Sequence, residues 1–337
     1  MLAAWLSAAA APVSGHTATP VERVVRTRRL MGVAWQVTLH GPPREAEAAA
    51  EAALEEVARL ERILSDYDPE SELSRLSAAA PTERPVPLSP PLADVLSRAV
   101  AIRAASDGAF DPTVGPLTTL WRQARRSGRL PSAERLAAAR AAVGPATLVV
   151  EGATAMLNRP GMRLDLGGIG MGYAIDRALE RIAEFGIAAA LIDASGDVGA
   201  SAPPPESEGW SVAVAPLDPR RPTGEGGTIR LAHAAVTTSG DAFQAVEIGG
   251  RRYSHIVDPR TGIGVAGPAA VTVIAPDCTT ADAVATAASV VGPVAGPAFV
   301  ARQTGCAASF LWEEQGTLRR ATTAGWPALA VRSGAPR

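Results

Sequence analysis

The chain has 337 residues, an apolar content of 47% and a formal net charge of −2, so it can form one large domain or two ordinary ones with a sizeable core. The near-neutral charge excludes the broad basic surface that nucleic acids or anionic membranes need, and we predict no nucleic-acid partner. The two cysteines, Cys278 and Cys306, lack metal-ligand spacing, and we predict free thiols rather than a disulfide.

The first segment, residues 1–22, is short, apolar and rich in alanine, without a positive leading stretch or a lipid-attachment cysteine. It is interpreted either as a degenerate secretion signal or as a disordered tail, and it is too short to span a bilayer. A signal would predict a periplasmic or membrane-associated protein, whereas a tail leaves a cytoplasmic location open.

Hydrophobic periodicity and turn residues predict a mixture of helices and strands downstream of this segment. Because the two types do not alternate strictly, we predict an α+β fold and a single domain over residues 23–330. Proline- and glycine-rich loops are predicted at Pro203–Gly209 and Pro219–Gly227. In chain order the predicted elements are strand Val33–Leu39, helix Glu45–Leu64, a helix opened by Ser89-Pro90-Pro91 and continuing through Ile102, helix Pro131–Val143, strand Leu148–Val150, a strand ending at Asp165, a helix from Tyr173 that stops at Gly186, strands Ala189–Asp193, Trp210–Val214, Ala234–Thr237, Arg252–Val257 and Ala270–Ile274, helix Ala281–Val291 and strand Cys306–Trp312.

The run Leu164–Asp176, LDLGGIGMGYAID, places four glycines between a predicted strand and a predicted helix. Free backbone N–H groups and the helix dipole favour an anion at such a turn, and glycine lets the backbone approach it closely. The spacing is neither a dinucleotide fingerprint nor a P-loop. The run alone therefore leaves two interpretations open, a phosphate site and a tight turn without a ligand.

Five further motifs give this run a context. In this order and combination they resemble the FAD:protein FMN transferase family, also called the ApbE family and formerly the thiamine-biosynthesis lipoproteins. The resemblance covers roughly residues 24–330 and implies a single α/β domain with the flavin in a central cleft. The motifs are SDYDPESELSRL (Ser65–Leu76), GAFDPTVGPL (Gly108–Leu117), TTSGD (Thr237–Asp241), YSHIVDPRTG (Tyr253–Gly262) and TTADAVAT (Thr279–Thr286).

Asp282 and Thr286 lie four residues apart, so a helix presents both on one face. A carboxylate and a hydroxyl are oxygen ligands suited to Mg²⁺, but Asp282 also fits an ordinary acidic residue in the first turn of a helix. The resemblance implies that both residues bind Mg²⁺, together with the backbone carbonyls of Ala285 and Gly168, across the diphosphate of FAD.

His255 lies where a predicted strand runs into a turn. A histidine can transfer a proton near neutral pH, although a structural histidine at a strand end fits the same pattern. The resemblance implies that His255 and Ile256 contact FAD and that His255 and Asp282 are catalytic. Arg260 and Asp258 are predicted to hold the turn, either by an ion pair or by side-chain-to-backbone hydrogen bonds.

The other contacts to FAD follow from motif positions alone. Because an aromatic face can stack on a flavin, the resemblance implies that Tyr67 packs on the isoalloxazine ring, with Met31 on the opposite side of the pocket. Without the resemblance, Tyr67 would be assigned to core packing or to a turn. Further implied FAD-binding residues are Gly108, Ala109 and Phe110 at the adenine end, and Asp165 and Met171 near the glycine run.

Two positions depart from the family pattern. Met171 stands where many members have lysine and others glutamate, so a charged contact to the cofactor is missing. Ser195 stands where members usually have the first glycine of a pair, which puts the geometry of that loop in question.

The resemblance implies a Mg²⁺-dependent enzyme that moves FMN from FAD to a threonine hydroxyl of an acceptor protein and releases AMP. Displacement at a diphosphate needs mainly positioning and charge stabilisation, which the predicted site supplies. The threonine proton would pass to His255 or to a metal-linked aspartate. Two alternatives stay open, an FAD diphosphatase that forms FMN and AMP, and a flavin-binding protein without turnover, which the missing charge at Met171 suggests.

Overall fold

A computed structural model describes residues 20–214, 216–217, 227–240, 245–267 and 269–328. The N-terminal segment up to residue 19, most of the predicted loop Pro219–Gly227 and Asp241 lie outside the described residues. Among the helices that are described, none is long and apolar enough to cross a membrane.

Helices and strands are mixed along the described chain, which confirms the predicted α+β class. The helices are α1 (Pro43–Leu64), α2 (Glu72–Ala78), α3 (Pro90–Ala105), α4 (Gly115–Ser127), α5 (Ala133–Ala141), α6 (Gly170–Ala183), α7 (Cys278–Val291) and α8 (Gly296–Val300). The strands are β1 (Glu22–Leu30), β2 (Val33–Gly41), β3 (Val86–Pro87), β4 (Leu148–Glu151), β5 (Thr154–Leu157), β6 (Ala189–Ala194), β7 (Asp197–Ala200), β8 (Trp210–Val214), β9 (Gly227–Leu231), β10 (Ala234–Gly240), β11 (Val246–Ile248), β12 (Arg251–Asp258), β13 (Ile263–Ala266), β14 (Ala269–Ala275), β15 (Ala307–Glu314) and β16 (Thr317–Thr322).

An antiparallel sheet of eight strands, in the order β1-β2-β6-β7-β10-β14-β15-β16, organises the structure. Alternate side chains of these strands point to opposite faces. One face packs against α1, α6 and α7 in the main core, where Val37 and Ile192 are almost fully buried. The other face is covered by the β8–β9 hairpin, whose Val212 and Ile229 pack with Val198 of β7. Two layers of unequal size therefore share one sheet.

The predicted strand ending at Asp165 is wrong. The backbone N–H of Leu164 donates to the Ser77 hydroxyl at 3.0 Å, and that of Asp165 donates to the Pro112 carbonyl at 2.9 Å. A helix side chain and a loop carbonyl therefore accept backbone N–H groups that a neighbouring strand would otherwise bind, and the segment stays irregular.

The helix after the glycine run begins at Gly170, three residues before the predicted start at Tyr173. Met171 therefore lies in the first turn of α6, half-buried against the main core. The two cysteines are free thiols, as predicted, and Cys278 is fully buried at the start of α7.

Ser195, in the turn between β6 and β7, adopts a left-handed backbone conformation with φ of 60°, and Gly196 follows with φ of 104°. A side chain in this region costs roughly 1–2 kcal/mol, because Cβ approaches the carbonyl oxygen of its own residue. The turn thus keeps the conformation that a glycine pair would adopt, at the expense of strain at Ser195.

We predict that Ser195→Gly raises the free energy of unfolding by up to about 1 kcal/mol, because relief of the strain exceeds the greater entropy loss of glycine. Urea denaturation of the two proteins measures the difference. Gly196→Ala is the matched control, and it should destabilise the protein because it places a Cβ in the same region of φ. A loss of stability in Ser195→Gly would contradict the strain argument.

Candidate active site

Helices α6 and α7 approach each other at Gly172, where only glycine fits. A Cβ at this position would overlap the Cys278 carbonyl oxygen and lie 2.9 Å from the Cβ of Asp282. The Gly172 N–H donates instead to Oδ2 of Asp282 at 3.2 Å. Asp176, one turn further along α6, accepts the backbone N–H groups of Cys278 and Thr279 at 2.8 Å each and so caps α7. The Asp282 carboxylate is thereby held against the first turn of α6.

The glycine turn before α6 meets α7 a second time, at Gly168. A Cβ on Gly168 would lie 2.8 Å from Cγ2 and 2.9 Å from Oγ1 of Thr286, so glycine leaves the space that brings these backbones together. The Thr286 hydroxyl also lies 3.3 Å from the Ser239 hydroxyl on β10. The structure thus brings Gly168, Asp282 and Thr286 together. The Ala285 carbonyl already accepts a hydrogen bond from the Ser289 hydroxyl at 2.9 Å.

Burial raises the pKa of Asp282 to about 7, with the Gly172 N–H opposing the shift and the negative charge of Asp176 adding to it. The pKa of Asp197 on β7 lies well above its ordinary range for the same reason, burial, together with the charges of Asp282 and Asp193. Burial thus disfavours the ionised form of both aspartates, and a bound cation would favour it.

A second cluster forms around Arg122 of α4. Its Nη1 lies 2.6 Å from Oδ2 of Asp66, and its Nη2 lies 3.0 Å from Oδ2 of Asp165. Its Cζ lies 4.2 Å from the ring centroid of Tyr67, which is a cation–π distance. Tyr67 itself is 76% exposed. One face of the ring thus rests on the guanidinium, while much of the remaining surface is free to contact a planar ligand.

Asp165 links this cluster to the glycine turn. Its Oδ1 accepts the Gly167 N–H at 2.8 Å, and its Oδ2 accepts the Thr118 hydroxyl of α4 at 2.7 Å. The Pro112 carbonyl that accepts the Asp165 N–H belongs to the GAFDPT loop, which also contains Gly108, Ala109 and Phe110. Ala109 and Phe110 are buried, and Gly108 is half-buried with φ of 74°.

His255 and Ile256 lie half-buried on β12. This strand is attached to α4, because the indole N–H of Trp121 donates to the Ser254 carbonyl at 2.9 Å. The predicted ion pair that holds the following turn is confirmed, with Nε of Arg260 2.9 Å from Oδ1 of Asp258.

Met31 lies at the β1–β2 turn with φ of 48°, half-buried against the main core. Its N–H donates to Oε1 of Glu61 on α1 at 2.9 Å, so its backbone is tied to the helix that leads to the Tyr67 loop. Direct contacts join Tyr67 and Asp165 to Arg122, and Asp165 to the glycine turn. Met31 is linked to this cluster only through α1, and His255 only through α4.

Sequence reasoning assigned no role to Arg122, Asp66 or Asp197. Arg122 is one of three arginines in WRQARR and carries no motif signal. Asp197 lies in the LIDASGDVGA run, where the departure from the family pattern concerns a glycine and not the aspartate. Asp197 and Asp282 are far apart in the sequence, so the sequence does not indicate that they are neighbours in the fold.

The comparisons with known proteins agree on one family. The sequence model described as ApbE family matches residues 31–310. The chain is 32% identical over 280 residues to an FAD:protein FMN transferase of Klebsiella pneumoniae (strain 342), covering 79% of this chain and 77% of that protein. The apo crystal structure of flavinyl transferase ApbE from Pseudomonas stutzeri superimposes with a TM-score of 0.79 at 30% identity, covering 90% and 95% of the two chains. Flavin transferase ApbE from Vibrio cholerae gives a TM-score of 0.79 at 26% identity, covering 90% and 98%.

A double-mutant cycle tests whether Arg122 supports Tyr67. We predict that Tyr67→Ala weakens FAD binding by roughly 1–3 kcal/mol, the scale for losing one aromatic platform. Arg122→Gln should weaken binding less in the Tyr67→Ala background than in the wild type, because part of its effect passes through the ring. Fluorescence titration measures all four dissociation constants. Arg126→Gln, at an exposed position of the same helix, is the control. Additive losses would mean that the stacking on Arg122 has no role in binding.

The buried carboxylates predict an unusual pH dependence in the metal-free protein. Folded Asp282 keeps its proton up to about pH 7, whereas an unfolded aspartate releases it near pH 4. Between these values the folded state binds more protons, so stability should fall as the pH rises. Thermal melts in chelator across this range measure the slope, which Asp282→Asn should reduce. A slope that is equal in both proteins would show that Asp282 does not cause it.

Proposed function

Because the chain belongs to the ApbE family and is an FAD:protein FMN transferase, we propose that it transfers FMN to a threonine hydroxyl of its acceptor with Mg²⁺ bound between the glycine turn and α7. The observation that carries this proposal is that the glycine run meets α7 twice, at Gly168 beside Thr286 and at Gly172 beside Asp282. Without these two glycines, the glycine turn and α6 could not approach α7 so closely.

The residues present fit a Mg²⁺ ion. Asp282 offers a buried carboxylate with a single backbone hydrogen bond, from Gly172, and Thr286 offers a hydroxyl beside the Gly168 backbone. Hard oxygen ligands of this kind, completed by substrate phosphates, are what Mg²⁺ prefers. The Ala285 carbonyl would have to exchange its Ser289 partner before it could contribute. Mg²⁺ in this place would supply positive charge to the diphosphate oxygens of FAD.

The second cluster is suited to hold the flavin half of FAD. Tyr67 presents an exposed ring that is fixed from behind by Arg122, and Asp165 presents a carboxylate at the start of the glycine turn. Rigid aromatic and charged groups of this kind fix the orientation of a substrate before the reaction. The GAFDPT loop contacts Asp165 through the Pro112 carbonyl. We propose that Gly108–Phe110 in this loop line the adenine end of FAD.

The proposed reaction joins the threonine oxygen to the FMN-side phosphorus and breaks the bond from that phosphorus to the oxygen of AMP. AMP leaves with the bond electrons, and the threonine releases one proton. His255 or the metal-linked Asp282 would accept this proton, since an imidazole and a carboxylate can both act as general bases. Flavin then stays attached to the acceptor through a phosphoester.

The test is incubation with FAD, Mg²⁺ and an acceptor domain that contains a threonine, followed by in-gel flavin fluorescence and mass analysis. We predict covalent FMN on the acceptor and none on the same acceptor with valine in place of that threonine. Asp282→Asn should lower the transfer rate by roughly 100-fold or more, a loss at the upper end of those seen when metal sites are altered. Asp94→Asn, at an exposed ion pair on α3, is the matched control.

Other products would point to the alternatives. Free FMN and AMP without labelled acceptor would support an FAD diphosphatase, and unchanged bound FAD would support a binding protein without turnover. Full transfer in excess chelator would overturn the role of Mg²⁺, and labelling of the valine acceptor would overturn the role of threonine.

A further inference from the structure

Two polar residues of the large sheet face α7 across the candidate metal site. Asp197 of β7 shares a sheet face with Gly199, two residues on, where a Cβ would lie 2.5 Å from Ile175 of α6 and 4.0 Å from the Cβ of Cys278. Val198 pairs with Val236 of β10, so Asp197 and Thr237 are neighbours across the two strands on that face.

The position of this pair along α7 follows from contacts on both sides of it. At one side, Gly199 lies opposite Cys278, the first residue of α7. At the other side, the Ser239 hydroxyl lies 3.3 Å from that of Thr286. Asp197 and Thr237 stand between these two levels, and Asp282 stands midway between Cys278 and Thr286. The pair therefore faces Asp282.

Neither side chain is explained by packing. Thr237 is 1% exposed, and its hydroxyl is buried without a hydrogen-bond partner among the described residues. Asp197 lies deep in the protein yet keeps part of its surface accessible, as expected of a residue that lines a cavity, and it accepts the Thr238 N–H. A buried hydroxyl without a partner and a carboxylate next to a second carboxylate both lower stability unless a ligand satisfies them.

We propose that Asp197 and Thr237 bind the Mg²⁺ ion from the sheet side, directly or through a coordinated water molecule. Carboxylate and hydroxyl oxygens match the donors that α7 supplies. The Ala285 carbonyl already accepts the Ser289 hydroxyl, so oxygens on the sheet side would add to the few that the helix side offers. This inference rests on the Mg²⁺ site of the proposed function and adds to it two ligands from the paired strands β7 and β10.

The test measures Mg²⁺ binding rather than activity. MgCl₂ is titrated into the FAD-loaded protein by calorimetry, and Mn²⁺ binding is followed by electron paramagnetic resonance. Asp197→Asn should weaken the affinity for either ion by about 10–100-fold, the range for residues that support a metal site. Thr237→Val, which keeps the shape of the side chain, should weaken it by a smaller factor. Asp193→Asn on β6 is the matched control, since an asparagine can still accept the Gly196 N–H.

Stability gives a second readout. In chelator, Asp197→Asn should melt at the same or a higher temperature than the wild type, because a buried carboxyl group next to a second one is replaced by a neutral amide of the same shape. In Mg²⁺ the order should reverse, because the variant gains less from the ion. A purely structural residue would lower the melting temperature in both conditions, and that outcome would overturn the proposal.

The two proposals fail in different ways. Wild-type affinity in both Asp197→Asn and Thr237→Val, with binding lost in Asp282→Asn, would overturn this inference and leave the proposed function intact. No Mg²⁺ binding by the wild type would overturn both. If Asp197→Asn does not fold, the isosteric Thr237→Val variant decides the question alone.

Discussion

The close approach of α6 and α7 at Gly172 is the constraint on which the site depends. The two helices are separated by about a hundred residues of sheet and loop, yet a single Cβ between them would overlap the Cys278 carbonyl. Asp176 fixes the same interface from one turn away by accepting two backbone N–H groups at the start of α7. Because α7 is rigid, a displacement at its first turn would move Asp282 and Thr286 together. The position of the candidate metal ligands is therefore set by backbone contact and capping, not by the ligands themselves.

Helix α4 has the corresponding role around Tyr67. Arg122 stands between Asp66 and Asp165, which would repel each other without it, and burial and the charge of Asp165 both raise the pKa of Asp66. Loss of one partner from a buried ion pair is costly because it leaves an unpaired charge. The neighbouring Trp121 attaches β12 to the same helix. One helix thus positions the Tyr67 loop, the start of the glycine turn and the strand of His255.

The parts of the site that could be predicted from the sequence are those that local geometry determines. Asp282 and Thr286 share a face because any helix places them there, and β8 has the predicted bounds, Trp210–Val214, because its alternation is regular. The predicted strand at Asp165 is wrong because Ser77 of α2 and the Pro112 carbonyl accept its backbone N–H groups. Arg122 and Asp197 carry no local signal, since their partners come from other segments. The motifs identified the family, but motif positions do not reveal which residues support them.

The distribution of charge separates the two halves of the site. Arg122 is paired with two aspartates beside Tyr67, whereas Asp282, Asp197 and Asp176 are carboxyl groups near α7 whose pKa values are raised by burial. In their ionised form these carboxylates would repel a diphosphate. A divalent cation reverses the sign of the local field and also relieves the mutual repulsion of the carboxylates. If Mg²⁺ binds here as proposed, the same groups would make binding of the FAD diphosphate conditional on the ion.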